Sequence, residues 1–223
     1  YSTHAIHNNT GTFYDRDFIF SQLGFDTFTS LEYMDNLATT PTGWCKDYLL
    51  TDEILKALNS TDKKDFIYTI SVQGHGHYPS EALLENPKIT VNGLESEEDT
   101  NSFTYYVNQL YEMDTFIKNL TDVLSKLDEK VVLVMYGDHL PTLGLEDEDL
   151  INNSVFQTEY VIWDNFNMPK EDKTLEAFQL TSSLLNRIGI NNGILNRYHN
   201  NSSNSLNYMV DLELLQYDML YGE

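Results

Sequence analysis

An aspartate and a histidine stand side by side directly after an apolar run, in the segment VVLVMYGDHLP, Val131 to Pro141. The run ends at Gly137, which permits a sharp turn, so Asp138 and His139 follow where a buried strand would end. A carboxylate oxygen and an imidazole nitrogen on one turn can bind the same ion, and this donor pair suits Zn²⁺ or Mn²⁺. The alternative is that Asp138 caps the next element while His139 lies on the surface.

Two histidines alternate with glycines in a second segment, SVQGHGHYP, Ser71 to Pro79, which follows another apolar run. Glycines let the backbone come close to a ligand, and His75 or His77 could then contact it. A single histidine is more often structural. This pair is as typical of a ligand-binding turn as of a purely structural one.

The segment THAIHNNTGTFYDRD, residues 3–17, adds a candidate anion site. Arg16 is one of only three arginines in a chain whose formal net charge is −22. Its planar guanidinium can hold a phosphate or sulfate through two parallel hydrogen bonds. The alternative is an ion pair of Arg16 with Asp15 or Asp17. Together the three segments predict a site for metal-assisted phosphoryl or sulfuryl transfer.

Strand and helix patterns alternate along the chain in a way that could position these segments. The strongest strand candidates are residues 66–72 and 131–136, and residues 155–163 form a more mixed third candidate. The first two runs are almost continuously apolar, which is typical of strands buried on both faces of a parallel sheet. The alternation predicts one α/β domain, with a mostly parallel sheet flanked by helices.

Helices are expected between these strands, because apolar residues recur there at helical spacing. The longest covers about residues 102–127, and shorter ones cover residues 17–23, 52–58 and 175–188. The apolar stripe of the longest helix comprises Tyr106, Leu110, Met113, Ile117, Leu120 and Leu124.

Composition narrows the class of protein. The charge of −22 disfavours binding to nucleic acid, which such a surface would repel. The single cysteine, Cys45, rules out a disulfide within the chain and leaves the cellular compartment open. No apolar run approaches the roughly 18 residues of a membrane span, and no stretch of these residues has the pattern expected of a signal peptide. Since the chain does not begin with methionine, we expect it to be a piece of a longer protein.

The three segments also occur in the order that a known enzyme family shows. MYGDHLP, QGHGHY and HNNTGTFYDRD followed by LGFD resemble motifs of the lipoteichoic acid synthase family, whose members are phosphoglycerol transferases. GWCKDYLLTDEIL and the closing LLQYDMLYG are similar to further parts of that family, so the likeness covers nearly the whole chain. The resemblance implies the fold of the sulfatase and alkaline phosphatase superfamily.

By this resemblance, Asp138 and His139 match paired metal ligands, with Mn²⁺ as the expected ion and Zn²⁺ or Mg²⁺ as alternatives. His75 matches a histidine that contacts the phosphate of the substrate. His77 falls where the family motif usually has proline, and an alignment of the motif onto His77 stays open.

The same resemblance assigns a pocket for glycerol phosphate. Arg16 matches the arginine that binds this group, and His7 matches another polar residue that lines the pocket. Tyr14 replaces the usual tryptophan, so an aromatic contact with the glycerol is retained in a different shape.

The chain departs from the family pattern in one respect that bears on whether it is active by itself. The threonine nucleophile and the remaining acidic metal ligand of the family lie upstream of residues that match this chain. We therefore expect residues 1–223 to be the C-terminal part of one catalytic domain, without the upstream strands and inactive by itself.

For the complete protein, the resemblance implies that the threonine attacks phosphatidylglycerol and releases diacylglycerol. A covalent glycerophosphoryl-threonine then passes glycerol phosphate to a polyglycerolphosphate or glycan acceptor. Membrane-spanning helices upstream would place the enzyme on the extracellular face of a bacterial cell membrane.

Three alternatives stay open from the sequence. The same fold could serve a sulfatase, a phosphodiesterase or a phosphoethanolamine transferase. It could also serve a non-catalytic binding module that has lost its metal. In the third alternative, a structural domain, the histidines and acids have no chemical role.

Overall fold

The computed structural model describes residues 1–222 of the 223-residue chain. Its contacts divide the chain into two compact units, one comprising Tyr1–Asn167 and a second that begins at Met168. Compactness alone does not decide whether two units fold independently. The expected organisation as one catalytic domain therefore stays a prediction.

A three-stranded parallel sheet forms the centre of the first unit. It consists of β1 (Ser2–His7), β2 (Thr27–Thr29) and β3 (Asp65–Ile70), in the spatial order β2-β1-β3. The register places His7 opposite Ile70, so β1 and β3 end at the same level of the sheet. Residues that follow these two strands are thereby delivered to one edge of the sheet.

Three helices belong to the first unit: α1 (Arg16–Gln22), α2 (Leu50–Leu58) and α3 (Glu97–Leu124). Helix α1 lies in the crossover from β1 to β2, and α2 lies in the crossover from β2 to β3, as parallel strands require. Helix α3 begins after Ser96, whose side chain accepts a hydrogen bond from the backbone N–H of Asp99. This is the usual way in which serine starts a helix.

The C-terminal half of α3 closes the hydrophobic core of the first unit. Phe116, Leu120 and Leu124 pack with Ile6 of β1 and Leu50 of α2 in one buried cluster. Leu120 and Leu124 belong to the predicted apolar stripe, which is confirmed at these two positions, whereas the buried Phe116 lies outside it. Leu120 is 2% exposed and Leu50 is 0% exposed, so nearly all of the apolar surface of both side chains is removed from water and stabilises the fold.

The N-terminal half of α3 buries a different face from the one predicted. Leu110, which the stripe placed in the core, is 38% exposed, whereas Asn108 and Gln109 are buried. Asn108 accepts hydrogen bonds from the backbone N–H groups of Lys88 and Ile89, so its burial is compensated. A stripe drawn from apolar residues alone cannot find such polar positions.

Two further strands pair antiparallel beside the parallel sheet. They are β4 (Val132–Tyr136) and β5 (Tyr160–Asp164). Leu133 of β4 packs against the same hydrophobic cluster as Ile67 of β3. The α/β class with a parallel sheet is thus confirmed, while β4 itself pairs antiparallel, because an apolar run specifies burial and leaves the direction of pairing undetermined.

Strand β1 was not expected as a strand, since its sequence STHAIH mixes polar and apolar residues. His4 is nevertheless buried at 3% exposure. Its Nδ1 lies 2.7 Å from Thr27 Oγ1 and its Nε2 lies 3.2 Å from Asp65 Oδ1, so partners on both neighbouring strands satisfy the ring. Such cross-strand partners become visible only when the strand order is known.

Within residues 168–222, the second unit contains three α-helices, α4 (Leu180–Arg187), α5 (Ile194–Ser202) and α6 (Tyr208–Tyr221). Its buried residues include His199, whose Nδ1 lies 2.6 Å from the hydroxyl of Tyr208. Across residues 1–222, none of the helices combines the length and hydrophobicity that a membrane span requires.

Candidate functional site

The predicted site residues of the first unit gather where β1, β3 and β4 end. His7 is the last residue of β1, His75 follows the end of β3, and Asp138 and His139 follow the end of β4. The ring centroids of His75 and His139 are 6.5 Å apart. The exits of β3 and β4 therefore converge, although the two strands belong to different sheets.

Gly76 lies close to the segment that follows β4. A Cβ added to Gly76 would lie 3.1 Å from Thr142 Oγ1 in that segment. A larger residue at position 76 would therefore require the Thr142 side chain to shift.

Arg16 is held by His7. Arg16 Nη1 donates to His7 Nε2 at 2.9 Å, and His7 Nδ1 lies 2.9 Å from the carbonyl oxygen of Ile70. A carbonyl oxygen only accepts hydrogen bonds, so the proton of the neutral His7 ring is on Nδ1. The other nitrogen, Nε2, carries no proton and accepts the hydrogen bond from Arg16. Burial lowers the pKa of His7, and the charge of Arg16 lowers it further, against the hydrogen bond to Ile70. His7 therefore stays neutral and orients the guanidinium.

Arg16 does not use the partners that the alternative interpretation offered. Within residues 1–222 it forms no ion pair with Asp15 or Asp17. Its guanidinium carbon lies 5.5 Å from the ring centroid of Phe13 and 5.3 Å from that of Tyr14. Neither neighbouring carboxylate therefore neutralises Arg16, and aromatic rings flank its guanidinium.

Tyr14 and Asp15 have an unusual backbone conformation. Their φ angles are 58° and 51°, which is the left-handed region. For residues other than glycine this costs about 1–2 kcal/mol each. Backbone strain of this kind concentrates at functional sites, and here it places the exposed Tyr14 ring beside Arg16.

The turn that carries His75 is fixed by Trp44. The indole Nε1 of Trp44 donates to the carbonyl oxygen of Gly76 at 3.0 Å, and the Trp44 and His75 rings are 4.9 Å apart. His75 Nδ1 lies 2.7 Å from the same carbonyl, so His75 Nε2 is free to face a ligand. His77 is exposed, and its side chain has no hydrogen bond or ring contact within the described part of the chain. The geometry therefore favours His75 over His77 as the site residue.

Asp138 and His139 have the spacing of a partial metal site. Asp138 Oδ2 lies 3.7 Å from His139 Nε2, and donors bound to one Zn²⁺ at about 2.0–2.2 Å each cannot be more than about 4.4 Å apart. His139 Nδ1 lies 2.8 Å from the Leu140 carbonyl, an arrangement that orients a ligating histidine and keeps Nε2 unprotonated.

The two residues fit a metal ion as part of its ligand set. Among the residues that the structure describes, no group of three or more His, Cys, Asp or Glu side chains could hold an ion. Asp138 and His139 are largely exposed, with side-chain exposures of 84% and 62%. Asp138 and His139 could thus supply two donors to an ion, and their role as metal ligands stays a prediction.

The sequence did not single out several residues that support the site. Asp47, Asn8 and Gln73 are buried next to the strand exits. All three lie in segments quoted for the resemblance to a family, HNNTGTFYDRD, GWCKDYLLTDEIL and QGHGHY, but nothing local assigned them a role. Trp44 was noted only as part of a segment that resembles a family.

Comparison with known proteins places this chain in a family. The sequence pattern of the family described as Sulfatase matches residues 1–190. The chain belongs to the sulfatase family. The superfamily implied by the resemblance of the motifs is thereby confirmed.

Two curated relatives of this sulfatase-family chain come from Rhizobium meliloti (strain 1021). One, named for cyclic beta-1,2-glucan modification, is 27% identical over 208 residues, which are 85% of this chain and 32% of that protein. The other, the capsular polysaccharide biosynthesis protein RkpI, is 29% identical over 143 residues, which are 63% of this chain and 24% of that protein. The chain therefore spans about a third or less of the length of these relatives.

Solved structures share the fold. The Streptococcus pyogenes phosphoglycerol transferase GacH, in complex with sn-glycerol-1-phosphate, matches with a TM-score of 0.75 at 22% identity, over 97% of this chain and 60% of GacH. The lipoteichoic acid synthase LtaP from Listeria monocytogenes matches with a TM-score of 0.51 at 21% identity, over 73% of this chain and 43% of LtaP. A protein of the alkaline phosphatase superfamily from Vibrio parahaemolyticus gives 0.58 at 18% identity, over 85% and 45% of the two chains. At these identities the matches show the shared fold.

Proposed function

We propose that this sulfatase-family chain belongs to a metal-dependent phosphoglycerol transferase. The complete protein would move glycerol phosphate from phosphatidylglycerol to a polyglycerolphosphate or glycan acceptor. The observation that carries the proposal is the hydrogen bond between Arg16 and neutral His7. It holds a cation that has no acidic partner within residues 1–222, near the strand ends that His75, Asp138 and His139 follow. In a chain of net charge −22, such a cation is suited to an anionic group.

Each residue of the site has a distinct part in this proposal. Arg16 binds the phosphate of the donor in a forked hydrogen-bonded contact, while His7 holds the guanidinium in place. His75, in its doubly protonated form, donates from Nε2 to a phosphoryl oxygen, where negative charge increases during transfer, while its Nδ1–H donates to the Gly76 carbonyl. Tyr14 flanks the glycerol moiety. The structural match to GacH in complex with sn-glycerol-1-phosphate supports this choice of ligand.

Asp138 and His139 would hold the metal ion. Mn²⁺ is the proposed ion, with Zn²⁺ and Mg²⁺ as the alternatives, because one carboxylate and one imidazole accept any of them. When bound, the ion would polarise the phosphoryl oxygens. The other ligands, together with the threonine nucleophile that forms the covalent intermediate, would come from residues outside this chain.

The acceptor is proposed from the relatives. The two curated relatives are named for glucan modification and for capsular polysaccharide biosynthesis. These names favour a glycan acceptor over a polyglycerolphosphate chain. A lipid donor and a surface glycan would together place the complete enzyme on the extracellular face of a bacterial cell membrane.

The test uses the longer protein that contains this chain, supplied with Mn²⁺. Release of diacylglycerol from labelled phosphatidylglycerol is measured for the wild type, Asp138→Asn and Arg16→Ala, with an aryl sulfate as a competing substrate. Metal-dependent release that both substitutions abolish is the expected result. Turnover of the sulfate alone would move the function to the sulfatases, and a folded protein that turns over neither substrate would favour a binding module.

A further inference from the structure

Asp47 is a carboxylate that is completely buried, with 0% of its surface exposed, just before α2. Its Oδ1 accepts three hydrogen bonds. They come from Asn8 Nδ2 at 2.8 Å and from the backbone N–H groups of Val72 and Gln73 at 3.1 Å each. We call Asn8, Asp47, Val72 and Gln73 the Asp47 clamp.

The clamp lies beyond the end of the sheet. Pairing between β1 and β3 stops at His7 and Ile70. Asn8 directly follows His7, and Gln73 precedes His75 by two residues. The backbone hydrogen bonds between β1 and β3 do not continue beyond His7 and Ile70. Past the strand ends, Asp47 joins the two segments, because it accepts from Asn8 after β1 and from Val72 and Gln73 after β3.

Gln73 connects the clamp to helix α3. Gln73 Oε1 accepts from the backbone N–H of Asp47 at 2.8 Å, and its Nε2 donates to Gln109 Oε1 at 3.1 Å and to Glu112 Oε2 at 2.5 Å. Lys46 forms an ion pair with the same carboxylate of Glu112. The clamp is thus fixed to a long helix that is itself anchored in the core.

The clamp and Trp44 hold the two ends of one turn. Asp47 accepts from Val72 and Gln73 at its beginning, and Trp44 donates to the carbonyl of Gly76 at its tip. His75 lies between these two anchors. A short segment, residues 44–47, therefore determines where the His75 ring stands.

Hydrophobic stability does not explain Asp47. A buried carboxylate with no cation beside it is unfavourable, and burial raises the pKa of this group against its hydrogen bonds from Asn8, Gln73 and Val72. Its Oδ2 and the Oδ1 of Asn8 have no partner within the described residues. Asp47 instead provides one oxygen atom that accepts hydrogen bonds from three donors, one in the segment after β1 and two in the segment after β3.

We infer that Asp47 is a positioning residue, which sets the distance between the His7–Arg16 pair and His75 and thereby aligns both on one phosphate. This inference rests on the proposed function. Its geometric part, the placement of the His75 ring, can be measured without any substrate.

The first experiment follows the histidine rings by NMR in the longer protein that contains this chain, with ¹⁵N-labelled histidine and without substrate. Asp47→Ala removes the acceptor, whereas Asp47→Asn keeps an oxygen in the place of Oδ1. Leu50→Ala, in the adjacent core, is the control for a loss of stability alone. We expect Asp47→Ala to shift the ring signals of His75, and we expect the other two variants to leave them in place.

The second experiment measures diacylglycerol release by the same variants of the longer protein. We expect kcat to fall at least tenfold in Asp47→Ala, and to stay within about 1.5-fold of the wild type in Asp47→Asn and in the folded fraction of Leu50→Ala. Should Asp47→Ala fail to fold, Asn8→Ala removes one of the three donors and is expected to lower kcat about threefold with a smaller shift at His75.

The outcomes separate the inference from the proposed function. Unchanged His75 signals in a folded Asp47→Ala, or an Asp47→Asn as impaired as Asp47→Ala, would overturn the positioning role. A shift at His75 in a protein whose wild type does not cleave phosphatidylglycerol would support the positioning role and refute the phosphoglycerol function.

Discussion

The guanidinium of Arg16 donates to a histidine: its Nη1 lies 2.9 Å from His7 Nε2. Only a neutral ring can accept this bond, and the carbonyl of Ile70 fixes the proton on the other nitrogen. The pair therefore keeps the positive charge of Arg16 intact and limits the rotation of the guanidinium. A ligand that approaches meets a cation that is already oriented.

The first prediction concerns the charge and shape of Arg16. In the longer protein, Arg16→Ala is expected to lower kcat/KM for the phosphate-ester substrate by about 10²-fold or more, the usual loss when one donor to a charged transition state is removed. Arg16→Lys keeps the charge but cannot bind in a fork, so only partial recovery is expected. Steady-state kinetics of both variants provide the measurement.

Arg197 supplies the matched control for this prediction. It is one of the three arginines of the chain and lies in α5, in the second unit. Arg197→Ala changes the net charge by the same amount as Arg16→Ala. Equal losses in the two variants would show that the overall charge matters rather than the place of Arg16.

The second prediction is a dependence of stability on pH that comes from His7. Its pKa is lowered in the folded protein, chiefly by burial. As pH falls below about 6.5, the unfolded chain takes up a proton at His7 that the folded protein does not bind until the lowered pKa is reached. The free energy of unfolding should therefore decrease as pH falls through this range, and His7→Gln should remove part of the decrease.

Urea unfolding between pH 7.5 and pH 5 measures this effect. His199, whose pKa burial also lowers, gives a second component of the same sign. A part of the slope is therefore expected to persist in His7→Gln and to disappear in the variant that also carries His199→Gln. Parallel curves for wild type and His7→Gln would contradict a neutral, buried His7.

The third prediction compares two leucines of α3 that the sequence pattern treats alike. Leu120 is 2% exposed and Leu110 is 38% exposed. Leu120→Ala is expected to lower the free energy of unfolding by about 2–5 kcal/mol, because it leaves a cavity in the core. Leu110→Ala is expected to cost about 1 kcal/mol or less. Chemical denaturation of both variants decides whether the two halves of α3 bury different faces, and equal losses would restore the predicted stripe.

The elements that were correctly predicted are those with a strong local signal. The two apolar runs correctly predicted the strands β3 and β4. The leucines at helical spacing correctly predicted the buried face in the C-terminal half of α3. The rule that residues after parallel strands meet at one edge led us to expect His75, Asp138 and His139 in one place. The ring centroids of His75 and His139 are 6.5 Å apart. The rule does not explain this approach, because β4 belongs to a separate antiparallel sheet.

What the sequence left hidden depends on contacts between distant segments. His4 in β1 is polar in sequence yet buried, because Thr27 and Asp65 supply its partners from other strands. Asn8 and Asp47 lie far apart along the chain, and only the fold brings the amide to the carboxylate. Periodicity reports which face of an element is buried, and it carries no information about such pairs.

The last prediction concerns Trp44, which shares the turn of His75 with Asp47. Trp44→Phe keeps an aromatic ring near His75 but removes the indole donor to Gly76, whose carbonyl retains the contact with His75 Nδ1. The loss of stability should therefore be small, about 0.5–1.5 kcal/mol. The turn should nevertheless loosen, so amide hydrogen exchange at residues 74–77 should become faster.

Trp163→Phe is the control, because Trp163 packs against the hydrophobic core and makes no part of the turn. If the two variants accelerate exchange at this turn equally, the effect reflects general destabilisation, and the indole hydrogen bond does not hold His75 in place.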